Sequence, residues 1–153
     1  MKNFEMILCC VDFSSPSEYA LELAADLARR HVCPLTVAHV YVPPAVLSGE
    51  AALAAHAELF EQAEREAERE LERCRLRAQQ LVDSPVRAEM LRGGPAQTLV
   101  AWAREHSCDV IVVATQGRTG LGRLLLGSVA EKVVRTAPCS VLVARAPAAS
   151  GDN

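Results

Sequence analysis

The sequence predicts an α/β fold: a single doubly wound, five-stranded parallel sheet in the order 3-2-1-4-5, with helices on both faces (Rossmann-like). Three observations carry this. First, runs such as "MILCCVDF" (6–13) and "DVIVVAT" (109–115) are continuously apolar and of strand length, as strands covered on both faces are. Second, amphipathic helical stretches separate these runs, giving the order β-α-β-α-β-α-β-α-β, which calls for a mostly parallel sheet. Third, right-handed crossovers favour a doubly wound arrangement, and its five-strand version is 3-2-1-4-5. The 153 residues form one domain, 1–153, with "APAASGDN" (146–153) as a frayed tail.

The first strand spans Met6 to Phe13. In "SSPSE", Ser15 and Glu18 have capping-box spacing and Pro16 sits at a helix start. That helix runs to about Arg30, with Tyr19, Leu21, Leu23, Ala24 and Leu27 as its apolar positions. "LTVAHVYV" (35–42) is strand two, closed by Pro43 and Pro44. From about Ser48 to Val82 the chain reads as one long helix. Leu53, Phe60, Ala63, Ala67, Leu71, Cys74, Ala78 and Leu81 step mostly by three or four and make one apolar stripe. Its run "EQAEREAERELERCRLR" mixes charge signs at i,i+4 spacing, which reads as a solvated helix face. "VRAEML" (86–91) is strand three, and "RGGP" turns the chain into a helix starting at Pro95. Asp109 to Thr115 is strand four, "GSVAEKVVRTA" the fourth helix, and Ser140 to Arg145 strand five.

Composition excludes several classes. A net charge of −3 gives no reason to expect nucleic acid or an anionic membrane as partner. One Trp, two Tyr and three Phe leave little for base stacking. No apolar run reaches membrane-spanning length, and the N-terminus reads as a strand and not as a signal peptide, so a cytoplasmic location is expected. Cys9, Cys10, Cys33, Cys74, Cys108 and Cys139 lack C-x-x-C or zinc spacing and read as reduced, small core residues. His31, His56 and His106 fall on helices or at their ends. His39 lies inside strand two and reads as a packed or edge residue.

In a doubly wound sheet, ligands bind beyond the carboxyl ends of the strands where the winding reverses. Here that point lies between strands one and four. Strand one ends at Asp12; strand four ends at "VVATQGRTGLGRLLLGSVAEKVV" (112–134). This segment fails the P-loop motif, because the chain has no Gly-Lys pair. It fails the dinucleotide fingerprint too, which starts at Gly120 and Gly122 but meets Leu125 at its third position. Glycines still permit close backbone approach. Free amides at a helix start favour an anion, with Gly127-Ser128 beside them and Arg118 and Arg123 as possible phosphate contacts. The residues alone predict a phosphate-bearing ligand.

"ATQGRTGLGRLLLGS" resembles the nucleotide loop of the universal stress protein family, whose ATP-binding members show G-x2-G-x9-G-[ST]. The frame falls on Ala114, Gly117, Gly127 and Ser128. "VDFSSPSEYAL", "AHVYVPP" and "APCSVLVAR" extend the similarity over nearly the whole chain. The resemblance implies an ATP-binding regulatory protein of the stress response, acting as a nucleotide-dependent switch, with Mg2+ or Mn2+ as a possible companion. It implies that Asp12 lies near the adenosine end and that the Val40 backbone meets adenine. Gly117, Gly127 and Ser128 would hold ribose and phosphates, with Val113 and Val129 as lesser contacts. It also implies a homodimer formed through the C-terminal edge strand, at Val141, Leu142 and Val143.

One departure stands out: Ala114 replaces the first glycine of the motif. Gln116 stands where many relatives carry His. If position 114 is ordinary strand, its methyl is tolerated; if it needs positive φ, it is not. Two alternatives follow. One is a nucleotide-independent dimeric signalling module. The other is a slow ATPase in which Asp12 holds a metal or positions water; against it, the loop has no Lys and no second acid near it.

Overall fold

The computed structural model describes residues 3–42, 50–116 and 126–147, with side chains of the long second helix described from residue 57. In chain order the elements are β1 (Ile7–Cys10), α1 (Ser15–His31), β2 (Leu35–Tyr41), α2 (Glu50–Gln79), β3 (Val86–Arg92), α3 (Pro95–Glu105), β4 (Val110–Ala114), α4 (Ser128–Thr136) and β5 (Ser140–Ala144). The sheet is parallel throughout, in the order β3-β2-β1-β4-β5. The apolar runs and the alternation of elements thus give the fold they predict.

Strand parity divides the core in two. Ile7, Cys9 and Val11 of the first strand segment, with Leu35 and Val37 of β2, pack beneath α1 and α2. Leu8, Ala38, Val40, Ile111 and Val113 pack beneath α3 and α4, against Leu99, Trp102 and Val133. Ile7, Leu8, Leu35, Leu99 and Ile111 are fully buried. Each such side chain contributes about 1.5–3 kcal/mol through burial, which is why the central strands can be apolar on both faces. Cys9 and Cys10 point to opposite faces, as alternation requires. All six cysteines are free thiols.

Two local readings are corrected. The cap of α1 is Ser14, not Ser15: the Ser14 side chain accepts from the Ser17 N–H, and Pro16 sits at the second helical position. Ser15 is exposed. The Asp12 carboxylate holds Ser14 in place, which moves the helix start back by one residue. The apolar stripe of α2 also differs from the predicted one. Ala67, Leu71 and Ala78 are buried, but Ala63 is exposed and Glu64 takes the half-buried position, paired with Arg92 of β3. Leu81 is exposed and Val82 is buried. The cause is Gln79, whose amide donates to the Val82 and Ser84 carbonyls (3.1 and 3.0 Å) and accepts from the Val86 N–H (3.0 Å). That side chain ends the helix and turns Leu81 outward. The side chain of Leu53, Ser48 and the tail from residue 148 lie outside the described residues.

The charged face of α2 is a row of exposed Glu–Arg pairs three or four residues apart, such as Arg65–Glu61 (3.0 Å) and Arg75–Glu72 (2.7 Å). Arg77 reaches across to Glu18 (3.6 Å) and Glu22 of α1. Exposed pairs contribute about 0–1 kcal/mol each, so the long helix is held by its stripe and its charges keep it solvated. The two sheet edges differ. β3 carries Arg87, Glu89 and Arg92, whereas β5 is Ser-Val-Leu-Val-Ala, with Val141 and Val143 turned towards α3 and α4 and Leu142 exposed.

Candidate functional site

A cavity of about 250 Å3 opens beyond the carboxyl ends of β1 and β4, where the strand order reverses. That volume is near the lower end of small-ligand pockets, which run from about 300 Å3 upward. Seven residues of the predicted site line it: Asp12, Val40, Val113, Ala114, Gly127, Ser128 and Val129. Gly117, Arg118 and Arg123 lie outside the described residues. Val141, Leu142 and Val143 are on β5, on the rim of the sheet and not among the lining residues.

Asp12 is set by its own loop. Its Oδ1 accepts from the Ser14 N–H at 3.0 Å and from the Ser14 hydroxyl. Its N–H donates to the Ser17 hydroxyl at 3.3 Å, and that hydroxyl donates onward to the Ser14 carbonyl at 2.9 Å. Ser17 is 2% exposed. An Asp and two serines therefore tie the strand end to the first turn of α1, and this network fixes the carboxylate beside the cavity.

The opposite wall is the start of α4. Its N-cap, Gly127, has φ −60° and ψ 150°, and no side chain caps the helix. The first-turn residues Ser128, Val129 and Ala130 line the cavity, so that end of the helix presents amides and positive dipole to whatever enters. α3 is likewise without a side-chain cap and brings Pro95 to the wall. The arrangement suits an anion at the α4 end and a neutral or donor-bearing group at the Asp12 end.

Gly127 has ordinary extended backbone, so positive φ is not what a glycine offers there; the absence of a side chain at the cavity wall is. Its N–H donates to the Thr115 carbonyl at 2.7 Å, and the Thr115 N–H donates to the Ala144 carbonyl at 2.9 Å. The first bond ties Gly127 to the residue after β4, and the second ties that residue to the end of β5. Ala114 is the last residue of β4, in register with Ala144, and is not among the positive-φ residues of the described chain. The alanine thus occupies regular strand.

Sequence reasoning did not select Cys10, Val11, Ser17, His39, Pro95 and Ala130 as cavity residues. Strand parity could have found Cys10, which shares the α3/α4 side of the sheet with Val40. Burial pushes its thiol up to about 12, and the Asp12 carboxylate adds to the rise, so it lines the wall as a neutral group. Among the described residues no group of three or more His, Cys, Asp or Glu is arranged to hold a metal ion.

A doubly wound parallel sheet with a small cavity at its reversal point, an acid on one wall and a helix start without a side-chain cap on the other, defines an α/β domain of the Rossmann-like class. The model of the universal stress protein family matches residues 3–145, and the chain belongs to that family. A universal stress protein of Thermus aquaticus is 34% identical over 143 residues, covering 93% of this chain and 99% of its own. The structure of UspA from Lactobacillus plantarum superposes with a TM-score of 0.85 at 27% identity, covering 95% of this chain and all of that one. The universal stress protein of Archaeoglobus fulgidus in complex with dAMP gives 0.64 at 22% identity, covering 94% of this chain and 99% of that one, a likeness of fold. Other universal stress protein structures similar in fold are in complex with cAMP and with AMP. No helix among the described residues is long and apolar enough to cross a membrane.

Proposed function

We propose that this chain is an adenine-nucleotide-binding regulatory protein of the stress response, taking ATP at the switch-point cavity and acting as a nucleotide-dependent switch. The observation that carries the reading is the cavity itself, which has Asp12 and Val40 on one side and the uncapped Gly127-Ser128 helix start on the other. Adenine nucleotides in structures of the same fold support it. In this reading the adenosine lies towards Asp12 and Val40, and the phosphates lie at the α4 amides, with Ser128 as a hydroxyl donor. Gly117 and, as possible phosphate contacts, Arg118 and Arg123 complete the phosphate end. Mg2+ or Mn2+ would be held chiefly by the nucleotide's own phosphates, since Asp12 is the one carboxylate among the described lining residues.

The regular strand backbone at Ala114 supports nucleotide binding over the nucleotide-independent module. Equilibrium titration with a fluorescent ATP analogue, with Mg2+ or Mn2+ present, tests the reading. Saturable binding below about millimolar, weakened at least about tenfold by Asp12→Ala, is expected. Absence of saturable binding overturns it. Competition by ATP, ADP and AMP ranks the contribution of the phosphates. Phosphate release is expected to be flat; steady release that disappears in Asp12→Ala would favour the slow ATPase instead.

The same proposal includes a cytoplasmic homodimer joined through β5. The apolar sequence of this edge strand, Val141-Leu142-Val143, supports it, since an apolar edge invites pairing. Light scattering at micromolar concentration should return a dimer mass, and Leu142→Glu should return a monomer mass. A monomer for the unaltered chain refutes the dimer without touching the nucleotide site.

A further inference from the structure

The side chain of His39 contacts the residues on both sides of Asp12, the Val11 carbonyl before it and the Phe13 ring after it. β1 pairs with β2 up to Cys10 and Ala38, and the Val11 N–H still donates to the Ala38 carbonyl at 2.9 Å. The next link between the two segments runs through the His39 side chain. Its Nδ1 lies 2.8 Å from the carbonyl oxygen of Val11, the residue before Asp12. That oxygen can only accept, so Nδ1 carries the proton and donates. The same ring stacks on Phe13, the residue after Asp12, with centroids 4.3 Å and planes 27° apart. Phe13 has φ 64°, a left-handed conformation that a bulky side chain adopts only where its surroundings impose it. The turn at Phe13 brings Ser14 back onto the Asp12 carboxylate, which accepts from the Ser14 N–H at 3.0 Å. His39 also lines the cavity.

We infer that His39 is a positioning residue for the nucleotide site. By fixing the Val11 carbonyl and the Phe13 ring, it sets where the Asp12 carboxylate stands, and the ligand feels His39 through Asp12. The inference rests on the reading of Asp12 as the adenosine-end contact. A histidine that merely packs would change stability but would not act on binding through Asp12.

The two contacts can be removed separately. His39→Asn keeps an N–H donor at the Nδ1 position and loses the ring. His39→Phe keeps the ring and loses the donor. Titration with the fluorescent ATP analogue is run on the unaltered chain, both variants, Asp12→Ala, and Asp12→Ala combined with His39→Phe. His39→Phe is expected to weaken binding about fivefold, and His39→Asn to recover part of the loss. In the Asp12→Ala background, His39→Phe should change affinity by less than about twofold, the non-additivity expected of residues acting as one unit. Equal losses in both backgrounds, or unchanged affinity in a folded His39→Phe, overturn the inference.

A ligand-free arm separates this outcome from failure of the nucleotide reading. Amide exchange at Ser14 reports the Asp12 turn directly, and His39→Phe should accelerate it about fivefold while Leu99 and Ile111 exchange unchanged. If the unaltered chain binds no nucleotide, the function proposed above falls, and Ser14 exchange still decides whether His39 holds Asp12. Exchange at Ser14 that is the same in both proteins refutes that hold.

Discussion

Ala114→Gly restores the glycine with which the family's ATP-binding motif begins, and the structure predicts that it gains nothing. Ala114 ends β4 in register with Ala144, and its methyl joins the core on the α1 side of the sheet. Removing one partly buried methyl costs up to about 0.8 kcal/mol. Glycine in a strand adds roughly 0.5–1 kcal/mol of backbone entropy. The sum is about 1 kcal/mol, which for a domain of this size lowers Tm by roughly 2–4 °C. Affinity for a fluorescent ATP analogue should stay within about threefold, because no positive φ is relieved by the change. Scanning calorimetry of the ligand-free protein and a parallel titration measure both numbers. An affinity gain of more than about tenfold, or roughly 1.4 kcal/mol, with an unchanged Tm would refute the argument and make Ala114 a partial block of the site.

Three further outcomes follow. Ser14→Ala removes the cap of α1 and should cost about 1 kcal/mol, whereas Ser15→Ala should be nearly neutral; equal costs in denaturant titrations would contradict the cap assignment. Val32 caps the end of α1 at φ 53° and is 81% exposed, so Val32→Gly should raise stability by about 1 kcal/mol; a lower denaturation midpoint would show that the valine is not strained. Burial holds the Cys9 thiol well above its ordinary value and pushes Cys10 and Cys108 up to about 12. These groups bind more protons folded than unfolded above about pH 9, so their contribution is intact below that pH and is lost as pH rises towards 12. Denaturation midpoints at about pH 8 and 10.5 should fall, and fall less in Cys10→Ala; an identical slope in the variant would contradict the assignment.

The sheet order was legible because its cause is local: a strand covered on both faces has to be apolar throughout, and "MILCC" and "VIVVA" are. Asp12 and Gly127-Ser128 could be placed together because topology alone sends the ends of β1 and β4 to one place, whereas Val40, on β2, came from the family resemblance. Other features depend on side chains that meet only in three dimensions. Capping-box spacing favours Ser15 with Glu18, and the Asp12 carboxylate, which fixes Ser14, overrides it. Leu81 fits the helical stripe until Gln79 ends the helix beneath it. His39 looked like a packed strand residue because spacing cannot show a bond made sideways to Val11. Gly127 carried the right motif position, but its backbone is ordinary, so its value lies in an absent side chain and not in conformational freedom.

The unequal edges of the sheet have a consequence for assembly. β3 carries the exposed Arg87 and Arg92 and the half-buried Glu89, and Arg92 pairs with Glu64 of α2. A strand arriving there would have to strip water from charges, while at β5 it would meet valine and leucine. Among the described residues the β5 edge is therefore the less charged of the two. Two copies joined β5 to β5, as proposed above, would leave their β3 edges outward, where Arg87 and Arg92 are exposed. Such a two-fold pairing would close on itself, and the charges that face an added strand at its outer edges take no part in the cavity.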